Sequence, residues 1–254
     1  MKLKTLCQTL DLYLSLRDFE DISQNGLQVE NEVPTIRKVA FAVDACVQTI
    51  EAAAACGAQM LICHHGLFWG RSELLRDQHY QRIKLLLHHN IALYAAHLPL
   101  DAHPKVGNNA VLAKRFKLQK TRPWGTFRDQ TIGIRGTLPR PLRANTVAKK
   151  IQQHLEPFGG QTRLFGDAKR MITEMAIITG DAAQDIRKAS RAGIDLLLTG
   201  ETDHVATLIA REAKTTLICG GHYATEVFGV RALADYLEQH HALHTHWIEA
   251  PTYV

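Results

Sequence analysis

The chain has 254 residues, 46% of them apolar, and a formal net charge of +5 at neutral pH. That size supports a globular protein of one large or two small domains with a real core. The Lys and Arg residues are dispersed, so the mild positive charge favours anionic ligands such as nucleotides and argues against a nucleic-acid groove.

The opening MKLKTLCQTLDLYLSL places Leu6, Leu10 and Leu14 at helical spacing, carries Asp11 and has no small-residue cleavage site. It reads as an amphipathic helix, not a signal peptide. Nothing approaches the roughly 18 uninterrupted apolar residues of a membrane span, so no membrane contact is expected. Cys7, Cys46, Cys56, Cys63 and Cys219 are odd in number, form no CxxC pair and sit mostly in apolar runs. Free thiols in a reducing, cytoplasmic setting follow. NGLQV (25–29) is a turn leading into an apolar residue; it serves equally as a connector or as part of a cleft lining.

Residues 39–65, VAFAVDACVQTIEAAAACGAQMLICHH, predict a strand, a helix ending at Gly57 and a second strand. That second strand opens onto His64, His65 and Gly66, at the strand edge where α/β sheets place ligands. The two histidines are candidates for metal ligands, catalytic bases or neither. Phe68 and Trp69 follow them, suited to stacking on a base or ring or to packing against the neighbouring half or subunit, of which packing is favoured. IKLLLHHN ends a helix, with His88 and His89 on its solvated end. IALYAAHLPLD (91–101) is a third strand opening onto His97 and Asp101. VGNNA (106–110) starts another helix, with its Asn residues as N-caps or as part of an anion-holding helix start. Residues 121–146, rich in Gly, Pro and Arg, read as a connector, followed by a helix that the Gly159–Gly160 pair ends.

The layout then repeats. MAIITGDAAQDIRKASRAGIDLLLTGE (175–201) follows 39–65 at a constant offset, with Gly193 in the place of Gly57 and Leu196–Leu198 in that of Met60–Ile62. Each glycine sits where a helix C-cap needs a left-handed residue. TTLICGGHYATE (215–226) echoes 91–101: an apolar run, a histidine, and a carboxylate four positions later, His222 and Glu226. His240 and His241 lie in a helical pattern and read as another solvated end. Strands alternating with helices predict an α/β fold of two similar, interlinked units with mostly parallel sheets. The boundary is placed near Gly125, giving units 1–125 and 126–254, the second carrying a short connector insertion.

The echo sets Gly200 and Glu201 against His64 and His65, and Glu226 against Asp101. If the two units face one another, these strand ends meet in one cleft that holds His64, His65, His97, Asp101, Glu201, His222 and Glu226. Imidazole with carboxylate is the usual ligand set for zinc, iron or manganese, and a carboxylate bridges two ions where no thiolate is present. A chain turning at Gly66 would let His64 and His65 reach separate ions roughly 3.5–4 Å apart. Cys63 and Cys219 are read as core residues.

DISQNGLQV, ICHHGLFW, AAHLPLDAHPKVGNNAVLA, LLLTGE and GGHYATEVFGVRAL, in this order from Asp21 to Leu233, resemble the GTP cyclohydrolase I type 2 homologue family, the dinuclear metal centre or Ngg-interacting-factor-three-like proteins. The resemblance implies two interlinked α/β units, a two-metal site and a ring-shaped hexamer whose sites face its central cavity. It implies His64, His65, Asp101, His222 and Glu226 as ligands of two divalent ions (Zn, Fe or Mn), with His97 and Glu201 in supporting or proton-transfer roles. Larger members carry a domain inserted between the halves, for which this connector is too short.

The leading functional reading is a metal-dependent hydrolase of a purine nucleotide or related heterocycle; for GTP this means opening guanine's five-membered ring with release of formate. The alternatives are a two-metal phosphoester or amide hydrolase, and a metal-binding scaffold or regulatory protein without catalysis. Structural zinc sites are usually closed and often cysteine-rich, and a thiolate-free set of five ligands for two ions favours catalysis over a scaffold.

Overall fold

Short, almost wholly apolar strands need cover on both faces, and the chain provides it twice. The computed structural model describes residues 1–70 and 73–254. It divides into two compact units: Met1–Val106 with Gly229–Ala250, and Gly107–Phe228 with Pro251–Val254. The division thus falls earlier than Gly125, and neither unit is one continuous stretch of chain.

The first unit runs α1 (Leu3–Tyr13), β1 (Gly26–Val29), β2 (Lys38–Asp44), α2 (Val47–Ala55), β3 (Met60–His65), α3 (Asp77–His88), β4 (Ala92–Ala95) and α4 (Leu98–Ala102). The second runs α5 (Asn108–Arg115), β5 (Gln119–Phe127), β6 (Gln130–Arg143), α6 (Ala144–Leu155), β7 (Arg163–Phe165), β8 (Met171–Ile177), α7 (Ile186–Arg191), β9 (Leu196–Thr199), α8 (His204–Glu212) and β10 (Thr216–Cys219). Helix α9 (His222–His241) starts in the second unit and ends in the first, where β11 (His244–Trp247) completes the sheet.

The first sheet has the order β1-β4-β3-β2-β11, parallel except for β1 against β4. Its residues alternate between two cores with the period of two that a pleated strand imposes. Val39, Phe41, Met60, Ile62 and Tyr94 pack with Leu6 and Leu10 of α1 and with Leu233 and Leu237 of α9. Ala40, Ala42, Leu61, Cys63 and Leu93 pack with Ile50 and Ala53 of α2 and Leu86 of α3. Each fully buried Leu, Ile or Phe contributes about 1.5–3 kcal/mol relative to exposure. Cys63 is part of this core, as expected, and all five cysteines are free thiols.

The second sheet repeats the design in the order β5-β6-β8-β9-β10-β7. Met175, Ile177, Leu196, Leu198 and Ile218 face α5 and α6; Ala176, Leu197, Leu217 and Cys219 face α7 and α8. Burial pushes the Cys219 thiol up to about 11, as suits a core cysteine. The registers coincide: Val39 pairs with Met60 and Phe41 with Ile62, while Met175 pairs with Leu196 and Ile177 with Leu198. Each half also has an antiparallel strand beside its third strand, β1 on β4 and β7 on β10. Gly57 and Gly193 both end their helices with positive φ, 72° and 69°.

The expectation of mostly parallel sheets holds for the first sheet and only for β8-β9-β10 of the second, where β5, β6 and β7 run antiparallel to their neighbours. The stretch read as a connector forms the β5–β6 hairpin. Arg128 and Asp129 at its tip both have positive φ, the backbone of a two-residue turn that matches strand twist. The Asn residues of VGNNA are not caps either. Gly107 is the N-cap of α5, and the buried Asn109 donates to Ile132 O and accepts from Thr179 N, tying α5 to the sheet beside it.

Candidate metal centre

In the first unit the histidine pair lies at the end of β3. The strand continues through His65, which pairs with Asp44 of β2, and ends before Gly66. Gly66 has no positive φ; what excludes a side chain there is space, since a Cβ would collide with Gln28 and with Ala95. His64 is fully buried and His65 half-buried, with ring centroids 4.6 Å apart. His97, the residue before α4, completes the group: one ring nitrogen of each of the three lies within 4.8 Å of the others. Asp101, on α4 and buried, places Oδ2 3.6 Å from His64 Nε2. That is too long for a hydrogen bond and close to the roughly 3.4 Å that separates two ligands, each about 2.1 Å from one tetrahedral ion.

In the second unit His222 is the first residue of α9 and Glu226 follows one turn later, on the same helix face. Glu226 is buried, and its Oε2 lies 3.2 Å from His222 Nε2. Gly180, with φ of 69°, leaves room for them: a Cβ there would run into the Glu226 carboxylate and approach His222. Burial opposes the imidazolium of His222, but Glu226 and Glu201 outweigh it and raise its pKa to about 9.

One arrangement recurs at all four histidines. Nδ1 of His64 lies 2.9 Å from Ala96 O, that of His65 2.8 Å from Asp44 Oδ1, that of His97 3.0 Å from Asp21 Oδ1, and that of His222 2.5 Å from Glu201 Oε1. A carbonyl or carboxylate oxygen accepts only, so Nδ1 carries a proton in each, which leaves Nε2 as the nitrogen that would bind a metal in the neutral ring. Asp21 and Asp44 were not singled out from the sequence, whereas Asn25 opens the NGLQV stretch read as a connector or a cleft lining. Asp44 stands opposite His65 in the parallel register of β2 and β3. Glu201, expected in a supporting or proton-transfer role, holds Nδ1 of His222, which is a positioning geometry.

The equivalence of His97 and His222 is one residue out. Ala95 and Cys219 hold matching places beside the middle strands, from which His97 is two residues on and His222 three. The extra residue comes with Gly221, whose φ is 97°. It carries His222 onto a helix, whereas His97 stays outside one. Trp69 packs against the cluster, its ring 5.2 Å from His97 edge-on and 5.8 Å from His65, and Phe68 lies edge-on to His79.

The family model for Duf34/NIF3 (NGG1p interacting factor 3) matches residues 1–252. The chain belongs to this family. Among its relatives, a Deinococcus radiodurans protein is 40% identical over 247 residues (97% of this chain, 92% of the relative). One from Pyrococcus abyssi is 37% identical over 252 residues, 99% of each. Both are named GTP cyclohydrolase 1 type 2 homolog. Among solved structures, the protein ybgI, described as of unknown function, matches with a TM-score of 0.92 and 34% identity over 100% of both chains. TTHA1606 from Thermus thermophilus matches with a TM-score of 0.88 and 36% identity, again over 100% of both. These likenesses confirm the mixed α/β fold with two sheets. No helix among the described residues is long and apolar enough to cross a membrane.

Proposed function

We propose that this member of the family is a dinuclear-metal-dependent hydrolase of a purine nucleotide or related heterocycle, with His64, His65, Asp101, His222 and Glu226 as ligands of two divalent ions. The observation that carries this reading is the set of histidines held through Nδ1, two of them with a carboxylate at ligand spacing from Nε2: His64 with Asp101 and His222 with Glu226. The donors are nitrogen and oxygen without thiolate, a set that suits zinc, iron or manganese.

Such ions supply Lewis acidity, which lowers the pKa of water to about 7 and offsets negative charge developing on the substrate. The protein's own part is orientation and proton movement. Asp44 and Glu201 hold the rings of His65 and His222. His97, beside His64 and His65 and tied through Nδ1, presents its other nitrogen as a proton carrier. The Trp69 ring forms an aromatic wall against His65 and His97. The name of the curated relatives supports a guanine nucleotide as substrate, and the family resemblance supports a cytoplasmic homo-hexamer.

The test is to load the purified protein with Zn, Mn or Fe in turn and incubate it with a panel of purine nucleotides, phosphoesters and amides. Metal-dependent release of formate from GTP confirms the reading; turnover of a phosphoester or amide alone selects the second hydrolase. Two bound ions without turnover of any of them favour the scaffold. Light scattering that reports a monomer at micromolar concentration rules out the hexamer.

A further inference from the structure

The three carboxylates that hold histidine Nδ1 atoms are not alike. The side chains of Asp44 and Glu201 are 33% and 37% exposed, whereas that of Asp21 is 2% exposed. Burying an ionised carboxylate is costly unless its lone pairs are filled, and at Asp21 they are. Ser23 N donates to Oδ1 at 3.0 Å; Asn25 Nδ2 and Leu98 N donate to Oδ2 at 2.9 and 3.0 Å; and His97 Nδ1 lies 3.0 and 3.1 Å from the two oxygens. Four donors thus fill the roughly four acceptor sites of a carboxylate. Asn25 closes the clamp from the other side, its Oδ1 accepting the backbone N–H of His97 at 2.7 Å. One short loop, residues 21–25, therefore fixes both the backbone and the ring of His97.

We infer that Asp21 is the positioning residue of His97: with Asn25 it locks the ring as the Nδ1–H tautomer and holds the other nitrogen, with its lone pair, beside His64 and His65. Every other donor on Asp21 is itself fixed, two of them backbone N–H groups, so the carboxylate cannot turn away. Replacing it with a carboxamide sets an N–H against at least one of those donors whichever way the amide faces. Of these partners the two backbone N–H groups cannot become acceptors, whereas the imidazole can, by moving its proton to Nε2 and accepting from the amide at Nδ1. The tautomer therefore depends on one residue far away in sequence, and it is readable without any substrate.

The inference rests on His97 being a proton carrier and not a metal ligand, and the experiment separates the two. Protein labelled with ¹⁵N at histidine and loaded with zinc is examined by long-range proton–nitrogen NMR, with the His97 signals assigned by their loss in His97→Gln. In the unsubstituted protein His97 is expected to show a protonated Nδ1 and a bare Nε2. In Asp21→Asn the two signals exchange character, wholly or in part, while zinc content stays the same. A protonated Nε2 in the unsubstituted protein overturns the inference, and this result stands even if Asp21→Asn fails to fold. Unchanged ring signals in a folded Asp21→Asn overturn it as well. If His97 Nε2 instead shows the zinc-induced shift seen for His64 and His65, the reading of His97 as a non-ligand fails while the positioning by Asp21 survives.

Discussion

Asp44 and His65 face one another across the parallel β2–β3 pairing, with Asp44 Oδ1 2.8 Å from Nδ1 of the imidazole. Such partners fix the tautomer and raise ligand basicity, and losing one typically weakens a metal site by roughly 10–100-fold. Asp44→Ala should bind zinc more weakly by that factor with its fold unchanged. Titration calorimetry that finds the affinity unaltered would remove His65 from the ligand set.

Direct ligands should behave differently. His65→Ala and Glu226→Ala each delete a donor, not its support, and elemental analysis should find at least one ion fewer per chain. Full occupancy in both variants would sink the assignment.

His97→Ala is expected to keep both ions and the fold. Its activity, on whichever substrate the panel identifies, should fall by roughly 10²–10⁴-fold, the usual contribution of a positioned acid or base. An empty metal position in this variant would instead make His97 a ligand, and unchanged metal and rate would leave it a packing residue.

Gly57 and Gly193 have φ of 72° and 69°, and a Cβ at either would meet nothing within 4 Å. Only backbone conformation therefore penalises a side chain, by about 1–2 kcal/mol for a residue held in the left-handed region. Gly57→Ala and Gly193→Ala should destabilise by that amount and by similar amounts, and the Asn variants by less. Urea denaturation will show whether the two sites differ, as they would if their surroundings were not equivalent.

Acid stability should depend on Asp21. Burial raises its pKa, but the hydrogen bonds from His97, Asn25 and the Ser23 backbone outweigh it and hold the carboxyl well below the usual carboxylate range. The unfolded chain, with an ordinary Asp pKa of about 3.9, binds the proton more readily than the folded one. The stabilisation is therefore fully present above that value and is lost as pH falls below it. Asp21→Asn should be less stable near neutral pH and lose less further stability between about pH 5 and pH 2. Parallel acid-unfolding curves for the two proteins would contradict this.

The repeated α/β core was legible because its signals are local: apolar runs of four to seven residues and two glycines at matching helix ends, Gly57 and Gly193. The candidate ligands were legible because His64, His65, His222 and Glu226 lie at strand ends or one helical turn apart. The β5–β6 hairpin escaped because Arg128 and Asp129 adopt positive φ without the Asn-Gly signal that usually marks such a turn. Asp21 escaped because its partner lies 76 residues away, and no periodicity connects a loop carboxylate to an imidazole beyond another strand.

The first unit is closed by the last part of the chain. Leu233 and Leu237 of α9 complete the core beneath β2 and β3, and β11 pairs along β2 from His244 to Trp247. During synthesis, residues 1–106 emerge first but lack these covering elements until residues 107–228 have followed. At about 5–20 residues per second, the ribosome leaves β2 with an unpaired edge, and one face covered by α1 alone, for on the order of ten seconds. The half that is made first is thus finished last, and in that interval it presents the sticky strand edge that attracts chaperones or neighbouring nascent chains.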